Sequence, residues 1–181
     1  MIKTAAVILF VLGMACQAGA QDHDSGHEHD VLARFDGGIG VIPVQNGAGA
    51  ANLDGTLPNV KLNVVRGVPP GAGPWRIADL KADIDTNGRI RVRGRGLLLA
   101  SRNSIGQNAG QSVFATLICE ATTPFTEHNT FSVPLAANGD FRIDDVLSPA
   151  PSECASPVLL IRNKAGVWFA AGIPKLDDED R

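Results

Sequence analysis

The chain has 181 residues, 44% of them hydrophobic, a formal net charge of −3 and no tyrosine. That length gives one domain a respectable core without splitting. The shortage of aromatics works against a base-stacking nucleic-acid surface, and no apolar stretch beyond the first twenty residues approaches transmembrane length.

Residues 1–20 read as a signal peptide. Lys3 supplies a short positive region, AAVILFVLGMA an apolar run, and Ala18 and Ala20 the small residues a signal peptidase needs. The expectation is a secreted or periplasmic protein. Lipoprotein processing before Cys16 is the lesser alternative, because Gly13 stands where a branched apolar residue is expected. Loss of Lys3 leaves fifteen bases against nineteen acids.

Residues 21–30, QDHDSGHEHD, form a histidine-rich acidic arm. Cleavage after Ala20 puts His23 third in the mature chain. An amino terminus, two backbone amides and one imidazole can then fill the square plane that suits copper(II) or nickel(II). Asp22, His27 and His29 extend this candidate metal site, with zinc as a looser occupant. Cyclisation of Gln21 would remove the amine, and a polar spacer that buries nothing is the competing reading.

Residues 31–174 carry the punctuation of an all-β domain: glycine and proline, about a sixth of the chain, separate short apolar runs. The runs include ARFDGGIGVIPV, WRIADLKADI, RIRVRGRGLLLA, SVFATLIC, DFRIDD, PVLLIRN and VWFAAGI. Asn87-Gly88 and Asn138-Gly139 read as type I′ turn pairs, in which both central residues take positive φ. RGVPPGAGP (66–74) is a loop that helix cannot cross. Trp75, Phe114, Phe131, Phe141, Trp168 and Phe169 are assigned to the core; a second packing layer or an outward contact patch would account for the adjacent Trp168 and Phe169. Eight or nine strands folded as a two-sheet antiparallel sandwich are expected.

The mature chain keeps two cysteines, Cys119 and Cys154, which in an exported protein read as a disulfide. Closing a loop of about 36 residues is worth roughly 4 kcal/mol in the chain-entropy model. The layout SVFATLIC, hairpin, CASPVLLIRN is similar to secreted immunoglobulin-like or prealbumin-like sandwiches. The resemblance spans about 60 residues and implies architecture only.

Within the domain, DIDTNG places Asp83, Asp85, Asn87 and Gly88 like the first half of a calcium loop. Gly94 stands where the bidentate glutamate belongs, and a polar hairpin turn is the favoured reading. RIRVRGRG is more promising. Arg89, Arg91, Arg93 and Arg95 recur every second residue, so in a strand they share one face, about 7 Å apart. Ile90 and Val92 then point to the core. Such a row, with Arg102 and Arg76 near it in sequence, can hold the phosphates or sulfates of an anionic polymer. The competing reading is a solubilised strand that discourages edge pairing.

No catalytic motif stands out. The domain's one histidine, His128, sits in a loop; Asp144 and Asp145 point to opposite faces; the glycines of GGIGVIPVQNGAGA match no dinucleotide or phosphate loop. Residues 175–181 form an acidic tail. The expected function is that of an exported, non-enzymatic binding protein, using the metal arm or the arginine strand. A structural or adhesion-type surface protein is the alternative, and an unrecognised hydrolase the third reading.

Overall fold

A computed structural model describes residues 30–56 and 59–175. The described residues are all-β. The first seven strands are β1 (Val31–Gly40), β2 (Val44–Asn46), β3 (Val60–Leu62), β4 (Trp75–Arg76), β5 (Asp79–Asp85), β6 (Arg89–Arg95) and β7 (Leu98–Leu99). A 3-10 turn at Arg102–Ser104 leads to β8 (Ser112–Ile118), β9 (His128–Asn129), β10 (Val133–Pro134), β11 (Phe141–Val146), β12 (Val158–Asn163) and β13 (Trp168–Pro174). The stretch ADLKADID, which has slight helical character in sequence, lies largely in β5.

Eight strands follow one antiparallel path, β10-β8-β12-β13-β1-β5-β6-β11, and β9 adds to β8. The expected pair of packed sheets is therefore not drawn by the hydrogen bonding: this path is continuous and curls into a half-barrel, and β2 with β3 and β4 with β7 form only two-stranded ribbons beside it. Bulges supply bending where they interrupt the register: β1 slips against β13 between Phe35 and Gly38, and β12 against β13 between Ile161 and Arg162. A tight turn joins Ala136 to Asp140, yet β10 and β11 on either side of it pair outward, with β8 and β6. Asn129 and Ser148 span the resulting seam with two backbone bonds of 3.0 and 2.9 Å.

The core lies inside the curl. Leu80, Ile84, Ile90, Leu117, Ile143, Leu159 and Ile161 are fully enclosed there. Strands β5, β6 and β11 alternate between buried and exposed positions, as half-buried strands must. Strands β8 and β12 are buried almost throughout, matching their continuous apolar sequences. The proline-rich loop covers the start of β13. Trp75, at its end, stacks on Phe169 at 4.1 Å, Gly71 N–H donates to the Trp168 carbonyl at 2.9 Å, and the Trp168 indole donates to Asn63 at 3.0 Å. Trp168 and Phe169 are thus both buried, under a second layer.

Cys119 and Cys154 form the expected disulfide, fixing the 147–157 loop to the end of β8. Phe131 departs from expectation. It is 85% exposed, in the break between β9 and β10, where it lies near the exposed Val146.

The two Asn-Gly turns also differ from the sequence reading. Gly88 and Gly139 have φ of 82° and 81°, but Asn87 and Asn138 keep negative φ. Each is a type I turn closed by a left-handed glycine, with Gly88 N–H bonded to Asp85 O and Gly139 N–H to Ala136 O. The β5–β6 loop consequently has three residues, not two. Ile84 pairs with Ile90, apolar against apolar. A two-residue turn centred on Asn87-Gly88 would shift the register by one and set arginines against Ile84 and Ala82, which the burial pattern forbids.

Candidate anion-binding face

The arginine strand takes the predicted form. Arg89, Arg91, Arg93 and Arg95 are all exposed, while Ile90, Val92 and Gly94 face the core. Gly94 lacks the side chain that this inward position calls for; Phe141, directly opposite on β11, fills the space, and a Cβ on Gly94 would overlap its ring. This filling keeps the flanking Arg93 and Arg95 in the alternation. Arg76 and Arg102 sit in β4 and the 3-10 turn, outside this sheet.

β6 is an interior strand, flanked by β5 and β11. Protection of a free edge therefore does not account for its charges. What the arginines face is set by register. Across the outer surface, one row reads Arg34–Asp83–Arg91–Asp144 over β1, β5, β6 and β11, with signs alternating. Asp83 lies 3.6 Å from Arg34, and Asp144 3.0 Å from Arg89 on the diagonal. The next row reads Asp36–Lys81–Arg93–Arg142. Lys81 reaches Asp36 at 3.4 Å, but Arg93 and Arg142 make no ion pair among the described residues. Arg95 stands opposite Asp79. A shallow depression of about 120 Å³ lies between these strands, lined by Lys81, Arg91, Arg93 and Arg142 with Val92 and Ile143.

Sequence reasoning missed Lys81 and Arg142. Lys81 was within reach of it, since pairing apolar Leu80, Ala82 and Ile84 with Ile90 and Val92 forces Lys81 opposite Arg93. Arg142 had no such local signal.

The other candidates are placed as follows. Asp22, His23, His27 and His29 lie outside the described residues. Asp30, the last residue of that arm, bonds through its carbonyl to Thr86 N–H at 2.9 Å, so the arm joins the fold beside the β5–β6 turn. In the half-matched calcium loop, Asn87 Oδ1 accepts the Arg89 amide at 2.9 Å and caps the turn. Among the described residues no three histidines, cysteines or acids converge as metal ligands. Asp144 points outward, and Asp145 turns to accept the Phe131 amide at 2.7 Å.

His128 is buried in β9, with Nδ1 2.7 Å from the Pro149 carbonyl. It lines a cavity of about 510 Å³ beside the disulfide, with Glu120, Thr126, Ser152 and Glu153. The Thr126 amide, 3.1 Å from Glu120 Oε2, holds that carboxyl below its ordinary range. In the β2–β3 ribbon loop the hydroxyl of Thr56 does the same for Asp54.

Compared with protein-family models, with curated proteins and with solved structures, the chain shows no match to any.

Proposed function

We propose that the protein is an exported, non-enzymatic binding protein whose arginine face takes up anionic polymer. The observation that supports this reading most directly is the exposure of four arginines on one face of an interior strand, of which only Arg89 is ion-paired among the described residues. Guanidinium groups bind phosphate and sulfate in forked geometry, and an array of them binds a polymer by displacing its counterions. The curled sheet serves as a rigid, sandwich-like support, with its opposed walls packed on one core.

The test is binding of the processed protein to fluorescent dextran sulfate and to polyphosphate across a salt series. Affinity is expected to fall linearly on a log–log plot. Both the affinity and its slope should collapse when Arg89, Arg91, Arg93 and Arg95 are all changed to glutamine. Unchanged binding in that variant would remove the reading.

An interaction or adhesion role is supported by a different feature. Val44 pairs with Leu62 on the β2–β3 ribbon, and Ile42, Val60 and Val64 are exposed beside them. Val44→Lys with Leu62→Lys should abolish self-association or surface attachment under this second reading, and leave polyanion binding intact. The metal arm remains a separate proposal. Copper(II), nickel(II) or zinc(II) titration, with loss of a square-planar copper band in His23→Ala, tests it.

A further inference from the structure

We infer that the row Lys81–Arg93–Arg142 is a discrete site for one tetrahedral oxyanion group, a phosphate or a sulfate, and that the other arginines of β6, each set beside or opposite a carboxylate, contribute less to it. This rests on the reading that the outer face binds anions, and it narrows that reading to one row.

Neighbouring strands lie about 4.8 Å apart, and side chains directly opposite each other on one face come within about 5 Å at Cβ. Lys81, Arg93 and Arg142 occupy such opposed positions on three consecutive strands. Like charges in that arrangement destabilise a sheet. A surface kept merely soluble would alternate its signs, as the adjacent Arg34–Asp83–Arg91–Asp144 row does. The row in question has one acid, Asp36, at its far end beside Lys81, so Arg93 and Arg142 face each other without a counter-charge among the described residues. The depression of about 120 Å³ sits at this point. An oxyanion seated there accepts forked donation from two guanidinium groups and a further contact from the Lys81 ammonium. It relieves the repulsion that the empty row carries.

The flanking arginines differ in surroundings. Arg91 lies between Asp83 and Asp144, Arg95 opposite Asp79, and Arg89 is bonded to Asp144. Arg91 and Arg95 make no ion pair among the described residues, but the carboxylates set opposite them repel an incoming anion, as Asp144 does at Arg89.

The experiment uses the natively processed full chain in chloride buffer at pH 7.5. Inorganic phosphate and inorganic sulfate are the monomeric probes, and polyphosphate and dextran sulfate the polymeric ones. Binding is followed by calorimetry and by the shift in melting temperature. With the monomeric ions we expect one-to-one binding that falls at least tenfold in Arg93→Gln and in Arg142→Gln, and less than twofold in Arg91→Gln and Arg95→Gln. Polymer binding should show the same ranking. A stability readout separates function from structure: without anion, Arg142→Gln should melt at or above the wild type, since a repulsion is removed, and phosphate should no longer raise its melting temperature. Equal losses across all the arginine variants would overturn the row while leaving polyanion binding in place. Polymer binding without any monomeric binding overturns the discrete site in the same way. No binding of any probe by the wild type overturns both.

Discussion

The two walls of the curled sheet are built from similar strands and put to opposite uses. In β8 and β12 most residues are buried and none is exposed, and β13 opens with three buried residues in succession. The proline-rich loop lies over the start of β13, and the disulfide ties the β11–β12 loop to the end of β8. In β5, β6 and β11 only alternate residues are buried, and the outer positions hold Lys81, Arg91, Arg93, Arg142 and their acidic neighbours. The anchored wall carries much of the burial stability; the open wall spends little and keeps its charges in water. A rigid support beneath a solvated face is what a binding surface requires.

This contrast predicts a gradient of mutational cost. Phe169→Ala, which removes a buried ring stacked on Trp75, should destabilise by about 3–5 kcal/mol in a denaturant titration. If the anchored wall is less critical than its burial implies, the loss will stay near 1 kcal/mol. Next, Cys119→Ser with Cys154→Ser should cost about 2–4 kcal/mol by releasing a loop of 35 residues' separation. The same loss should follow reduction of the wild type.

A smaller effect is expected where the β8–β9 loop is clamped to β12. The Arg162 guanidinium, 8% exposed, donates to Glu127 at 2.6 Å, to Thr116 and to the Gly166 carbonyl. Glu127→Gln should cost about 1–2 kcal/mol, because Glu127 is itself 41% exposed and its charge is partly screened. Arg91→Ala on the open wall should lie within about 0.5 kcal/mol of wild type. Ile143→Ala, one residue from Arg142 but turned inward, should cost about 2–5 kcal/mol; the pair tests the contrast inside a single strand.

The last and smallest effect is a pH dependence. Glu120 titrates below its ordinary 4.5 in the folded protein, chiefly because it accepts the Thr126 amide. A carboxyl held low in the folded state contributes stability that is complete above its unfolded pKa and is lost as pH falls through the folded one. Protection of the Thr126 amide, taken relative to its intrinsic exchange rate at each pH, should therefore fall as pH drops below the ordinary 4.5 of the carboxyl, and in Glu120→Gln that pH step should vanish.

Much of this was legible from local pattern. RIRVRGRG gives four exposed arginines because side chains alternate along any strand, whatever lies beside it. The paired cysteines gave the disulfide by count and the absence of competitors. Phe131 shows where locality fails: its strand-like surroundings, TFSVPLA, predict burial, yet it falls in the break between β9 and β10 and is exposed. The two-sheet expectation meets the same limit, since alternation tells which face is buried and not whether the strands close into one sheet or two.

The candidate site divides along this line. The sequence by itself determined that Arg89, Arg91, Arg93 and Arg95 share a face, because that needs only the two-residue period of a strand. It also contained, in the matched apolar residues of β5 and β6, the register that sets Lys81 against Arg93. Only the tertiary structure decided that Arg142 stands opposite Arg93, since β11 reaches β6 after the chain has passed through β7 to β10. Strand order is a choice among long-range pairings, made by how the whole core fills, and no local periodicity encodes it.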